Sequence, residues 1–199
     1  IKYFYKENNG ACSARNFGMS IATGEYIAHI DCDDIYYRSK IEKCINFLLQ
    51  NPDYGFVYTD VYLINQNDDI IGAMPYLKSH PGSGNIAKKL IVMDCAIPNS
   101  TLVARKNCFE KVGNFDEKIF TSADREMLIR LSRKFKGKYI SEKLTGYRIH
   151  KGSMFTDLQV ALDEFIYVVK KYQNTEILPT KKITKRSLSY VYYNFAKLN

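Results

Sequence analysis

The sequence predicts an α/β protein with a largely parallel sheet, and two observations carry that expectation. Apolar runs of strand length alternate with helically periodic segments through most of the chain, the order expected of strand–helix units around a common sheet. A carboxylate cluster, Asp31, Asp33 and Asp34, follows directly on the buried-strand pattern Tyr26-Ile27-Ala28-His29-Ile30, and open α/β sheets bind ligands beyond the carboxyl ends of their strands. With 199 residues, 46% hydrophobic and 25% charged, the chain can bury one core of ordinary size.

Taken in order, Ile1 to Tyr5 reads as a short strand entering the polar loop Glu7-Asn8-Asn9-Gly10. A helix is expected from about Ser13 to Ala22, stopped by Thr23-Gly24, and the strand 26–30 follows. The next helix begins near Ser39, where Ser39-Lys40-Ile41-Glu42 has the pattern of a capping box, and ends at Asn51-Pro52. Phe56 to Ile64 is rich in strand formers, and Asn65 to Asp69 forms a turn into a further extended piece, Ile70 to Tyr76. After the loop Pro81-Gly82-Ser83-Gly84, a short helix is expected from Ile86 to Met93, a strand from Ser100 to Ala104, and a helix from Lys106 to Val112 closed by Gly113. Asp124 to Phe135 is helical, segments near 138–140 and 145–150 are extended, and Asp157 to Tyr172 is helical.

The formal net charge is +8, which invites nucleic acid, an anionic membrane surface or phosphorylated small molecules as partners. Most of that excess sits between 165 and 199, where Lys170, Lys171, Lys181, Lys182, Lys185, Arg186 and Lys197 face a single acid, Glu176. No nucleic-acid-binding module is legible, so nucleic acid is not an expected partner. In the tail Leu188, Val191, Phe195 and Leu198 recur at helical spacing beside these bases. Two readings stay open: a helix docked on its own protein, or one resting on anionic lipid. No apolar run reaches the roughly 18 residues of a membrane span, and the first residues lack a signal-peptide pattern and an initiator Met. Cys12, Cys32, Cys44, Cys95 and Cys108 are scattered without a C-x-x-C pair and read as reduced thiols of a cytosolic protein.

Three carboxylates within residues 31–34 repel one another unless a cation or hydrogen-bond donors compensate. In an extended loop Asp31 and Asp33 lie on one side, and oxygen ligands suit Mg2+ or Mn2+, the ions that accompany diphosphates. The blander reading, helix capping, is weakened because Ser39 and Glu42 already supply a cap. Asp124 shares a stripe with Leu128, Leu131 and Phe135, while Glu126, Arg130 and Arg133 make the polar side. That places Asp124 inward or in a cleft, as either a buried cap or a general base. His29 and His80 read as structural or surface residues.

With these residues in hand, the chain resembles a family-2 glycosyltransferase of the GT-A fold. Asn8-Asn9-Gly10, Ala14-Arg15-Asn16-x-Gly18, Gly24-Glu25-Tyr26-Ile27, Asp31-x-Asp33-Asp34 and Lys40-x-Glu42 follow that family's motifs in order and spacing. Arg105 to Glu110, Val112-Gly113-x-Phe115-Asp116 and Asp124 to Leu131 resemble its acceptor-side half, and Tyr147-Arg148-x-His150-x-x-Ser153 its closing motif. The resemblance implies a three-layer sandwich with a mostly parallel sheet over residues 1–155, N-terminally incomplete because the family's first strand–helix–strand unit would precede Ile1. Residues 156–199 would form a helical basic extension. It also implies a sugar transfer from a nucleotide-diphospho-sugar, UDP-linked by family habit, to an acceptor hydroxyl, metal-dependent and inverting. Asp31 would contact ribose and metal, Asp33 and His150 the Mg2+ or Mn2+, Arg15 and Asn16 the nucleotide sugar, and Asp124 would be the base. The acceptor would be a saccharide or lipid-linked sugar of bacterial polysaccharide or glycolipid synthesis, met in the cytoplasm or at the inner face of the membrane. Two positions depart from the pattern: Ala123 replaces the Glu usually paired with the base, and Arg125 stands where an aromatic is common. The missing first unit and the lost Glu motivate a second reading, a non-catalytic nucleotide-binding or scaffolding domain of the same fold.

Overall fold

The computed structural model describes residues 2–73, 82–92, 95–150, 158–172 and 175. The end of the expected strand at Tyr76, His80, Ser153 and the basic stripe at 188–198 lie outside the described residues.

The chain enters α1 (Gly10–Ile21) and then β1 (Tyr26–Ala28), β2 (Ile35–Tyr36), α2 (Lys40–Gln50), β3 (Tyr54–Ile64) and β4 (Ile70–Ala73). It continues through α3 (Ala87–Ile91), a 3-10 turn (Asn99–Thr101), β5 (Leu102–Arg105), α4 (Lys106–Val112), α5 (Ala123–Lys134), β6 (Lys136–Arg148) and α6 (Leu158–Lys171). The sheet order is β1-β5-β3-β6-β2, with β4 paired to the far end of β3. Alternate residues on the central strands face opposite layers. Val57 and Val103 meet Cys44 and Leu48 of α2, whereas Phe56, Tyr58, Leu102 and Ala104 meet side chains from α1, α3, α4, α5 and α6. This period-two alternation inside fully covered strands makes three layers. Gly137 allows the closest approach: a Cβ there would fall 2.3 Å from Cε2 of the buried Phe56 ring.

Several sequence expectations change. The sheet is mixed: β3 and β6 are parallel, and every other pairing is antiparallel. Alternating elements specify layers, not strand direction. The short turn at 65–69 permits only a hairpin between β3 and β4, and two successive helices, not one, separate β5 from β6. Residues 2–9 form no strand, and Tyr3, Phe4 and Tyr5 are exposed. The expected strand from Ser100 begins two residues later, because 99–101 coil into the 3-10 turn. The two extended segments after α5 are one bulged strand, β6. The Ser39–Glu42 capping box does not form, for Ser39 makes no side-chain cap to α2.

The first residue of α2 has a different task. Lys40 is fully buried, with Nζ donating to Thr145 Oγ1 at 2.9 Å, Thr101 O at 3.0 Å and Thr59 Oγ1 at 3.4 Å, over the Tyr36 ring. Burial pushes its pKa down to about 8 against partial opposition from Cys44 and Asp34. A lysine lowered on folding binds fewer protons folded than unfolded between about pH 8 and its ordinary 10.5, so its contribution to stability rises with pH across that window. The stability of wild type minus that of Lys40→Met is expected to climb by about 3 kcal/mol there. Paired denaturant titrations from pH 7 to 10.5 read it, and a flat difference rejects it.

Candidate functional site

Beyond β1 the chain turns tightly, the Asp34 N–H donating to Asp31 O at 3.1 Å. Three neighbours hold this acidic turn. From the 3-10 turn, Ser100 Oγ accepts from the Asp31 N–H at 3.0 Å. From the end of β6, the Arg148 N–H donates to Asp34 Oδ1 at 2.9 Å and its Nε to Asp33 O at 2.6 Å, while its guanidinium also grips Asn65 O and the Asp68 carboxylate at the β3–β4 turn. From α1, Arg15 Nη2 meets Asp31 Oδ1 at 2.7 Å, with the guanidinium over the Phe115 ring. Beneath the turn, His29 Nδ1 faces Asn99 Oδ1 at 3.1 Å. The imidazole sits between Phe109 and Phe115, where burial holds its pKa down to about 4. It is neutral and structural, as expected of it.

Asp33 and His150 come together, Oδ2 to Nε2, at 3.0 Å and partly exposed. Asp31 turns instead to Arg15, so among the described residues no three His, Cys, Asp or Glu side chains converge on one point. The expected trio of Asp31, Asp33 and His150 is therefore a pair plus a neighbour. Of the two, Asp33 supplies the kind of carboxylate by which a magnesium-like ion is commonly held while substrate phosphates and water complete its shell.

Asp124 is the second residue of α5. Its Oδ1 accepts from the Arg125 N–H at 2.7 Å, so the helix-capping reading is partly realised. Burial raises its pKa, opposed by the charges of Arg15 and Arg125, and the Asp31 charge raises it further. Asp124, Arg15 and Asp31 thus share one electrostatic neighbourhood although they arise on different elements. Tyr147 samples all of it: burial and the charges of Asp124, Asp34, Asp31 and Asp33, in that order, push the phenol up to about 12.

Asn16, expected at the nucleotide sugar, is buried one residue from Arg15. Its amide brackets Phe115, accepting from the N–H at 2.8 Å and donating to the carbonyl at 3.0 Å, and also donates to Glu117 at 2.9 Å. It ties α1 to the loop ahead of α5. Arg125 also has a structural use, donating to Leu90 O at 2.8 Å and Cys95 O at 3.3 Å above the Phe165 ring. Glu126 corrects the expected polar side of α5, because it is buried and gathers Arg130, Lys171 and Tyr172. Nothing in the sequence singles out Ser100, and Tyr147 and Arg148 stand out only as parts of a motif.

The family model described as glycosyltransferase like family 2 matches residues 2–186. An uncharacterized glycosyltransferase of Rickettsia conorii is 32% identical over 155 residues, 77% of this chain and 24% of the relative. The amylovoran biosynthesis glycosyltransferase AmsB of Erwinia amylovora is 27% identical over 212 residues, 94% of this chain and 68% of the relative. Among solved structures, TarS of S. aureus in complex with UDP-GlcNAc matches with TM-score 0.62 at 12% identity, over 92% of this chain and 52% of that one. The mannosyltransferase PcManGT of Pyrobaculum calidifontis, in complex with GDP-Man and Mn2+, matches with TM-score 0.60 at 14% identity, over 95% and 51%. The chain spans from 24% to 64% of the length of the three Rickettsia relatives it first matches. The architecture is that of the GT-A-type structures, and no helix of the described residues is long and apolar enough to cross a membrane. The chain belongs to the glycosyltransferase-like family 2.

Proposed function

We propose that this chain carries the diphosphate-binding and base-bearing parts of a glycosyltransferase that moves a sugar from a nucleotide-diphospho-sugar to an acceptor hydroxyl with inversion. One observation carries the reading: the acidic turn beyond β1 joins Asp31 to Arg15 of α1 at 2.7 Å and Asp33 to His150 at 3.0 Å, bringing three distant parts of the sequence together. A site with a metal-ligand pair on one side and a burial-raised carboxylate on the other suits a displacement in which one end stabilises leaving charge and the other takes a proton.

In this reading Asp33 and His150 hold Mg2+ or Mn2+, and Asp31 and Arg15 face the donor. The bound ion would supply charge neutralisation for the leaving diphosphate. Asp124 takes the acceptor hydroxyl's proton as the acceptor oxygen bonds to the anomeric carbon. The bond from that carbon to the diphosphate oxygen breaks, and the nucleoside diphosphate leaves. A single in-line displacement needs one base and inverts the centre. UDP is the favoured nucleotide and a polysaccharide or glycolipid the favoured product, supported by the UDP-GlcNAc complex of TarS and the amylovoran relative.

The test is calorimetry on the full-length protein with UDP or GDP, with and without Mn2+. Binding is expected to need Mn2+ and to weaken about 10- to 100-fold in Asp33→Ala. Equal heats for wild type and variant, or equal heats in chelator, would remove the diphosphate reading.

A further inference from the structure

We infer that Glu164 of α6 positions the base, by holding from outside the helix the backbone that presents Asp124. The inference rests on the reading of Asp124 as the base.

The N-terminus of α5 carries acidic residues in its first turn but receives no cap from the side chain of Ser122, its N-cap. A capping box needs Glu or Gln at the third helical position to reach back to the N-cap N–H, and here that position is Arg125. Glu164 fills the gap from another element. One carboxylate oxygen accepts from the Phe120 N–H at 2.5 Å. The other accepts from the Thr121 N–H at 2.6 Å, Thr121 Oγ1 at 2.7 Å and the Ser122 N–H at 3.0 Å. Four donors on one carboxylate make a charge-assisted clamp, placed where negative charge also favours the helix N-terminus. Asp124 follows two residues after the last clamped N–H.

The same loop is tied elsewhere. Cys12 Sγ donates to Ile119 O at 3.2 Å, Asn16 brackets Phe115, and Arg130 donates to the carbonyls of Val112, Gly113 and Asn114. Those ties fix the loop's beginning and middle, and Glu164 fixes its last residues before the base. In a transfer whose reacting atoms must align closely, a base displaced by about 1 Å can cost on the order of 100-fold in rate. The effect falls on turnover, because Glu164 makes no contact with the acidic turn that faces the donor.

Steady-state kinetics of the full-length protein with a sugar-nucleotide donor test this. Glu164→Ala is expected to lower kcat about 10- to 100-fold while donor KM stays within about threefold, with Glu164→Gln between it and wild type. Tyr172→Phe, which loosens another α6 contact, should leave kcat within about twofold. Because Glu164 acts through Asp124, Asp124→Asn/Glu164→Ala should be no slower than Asp124→Asn alone. Wild-type kcat in folded Glu164→Ala, or losses that multiply in the double variant, overturns the inference. Should the alanine variant not fold, the glutamine variant carries the same comparison. Full turnover in Asp124→Asn is a different failure: it removes the base itself, and the inference with it.

Discussion

Asp124→Asn should lower kcat of the full-length protein by about 10²- to 10⁴-fold, the span a positioned general base supplies. Asparagine has nearly the shape of aspartate, and its side-chain oxygen can still accept from the Arg125 N–H that Asp124 Oδ1 holds at 2.7 Å. The start of α5 therefore survives, and what is lost is a second oxygen able to take a proton. Affinity for UDP with Mn2+ should stay within about twofold, because the acidic turn is untouched; such a loss belongs to the transition state. The pH profile gives an independent reading. A base works only when deprotonated, so kcat/KM falls in acid through the pKa of Asp124. Burial sets that pKa above the ordinary carboxylate range, with Arg15 and Arg125 pulling it back. Replacing Arg125, whose guanidinium counters that rise, should move the acid limb to higher pH. An Asp124→Asn enzyme that keeps a tenth or more of wild-type turnover, or an acid limb that ignores Arg125, would assign the base to another group.

What could be read from the sequence divides along a physical line. Helices and strands with a single-period pattern were legible: α4 stops at Gly113 as written, and α5 and α6 lie within a residue or so of their expected spans. The carboxylates and Arg15 were legible because residue type, spacing and placement after a strand agree. Strand direction was not, since it depends on which distant strand becomes the neighbour. The cap of α2 misled for a related reason. Ser39 and Glu42 have the right spacing, but the fold places Lys40 in a buried knot with Thr59, Thr101 and Thr145, whose members come from different elements. Ser100 was silent because its importance lies in accepting the Asp31 N–H across the sheet. Local pattern shows which residues have chemistry to offer, and only tertiary contact shows what each faces.

Glu126 is the sharpest instance, and it carries a large expected effect on stability. Helical spacing placed it on the polar side of α5, yet it is 1% exposed. Its carboxylate accepts from Arg130 Nε at 2.8 Å, Lys171 Nζ at 2.8 Å and Tyr172 Oη at 2.9 Å. The surface that buries it is α6, which arrives later in the chain and sinks Phe165, Val168 and Val169 into the core, with Tyr172 buried just beyond its end. Glu126→Ala leaves those three donors facing a cavity. Breaking a buried pair by removing one partner costs about 3–5 kcal/mol, but the Arg130 and Lys171 side chains are 19% and 35% exposed and can recover some hydration. The expected loss is therefore about 3 kcal/mol, or a fall in Tm of roughly 6–12 °C for a chain of this size. Glu126→Gln keeps one acceptor oxygen and the volume, and should lose about half as much. Hydrogen exchange should show the difference first in α6, whose C-terminal half loses its polar anchor while its apolar face stays packed. If Glu126→Ala melts within a degree or two of wild type, the cluster is balanced by the desolvation of its own charges. The apolar side chains of α6 would then dock it alone.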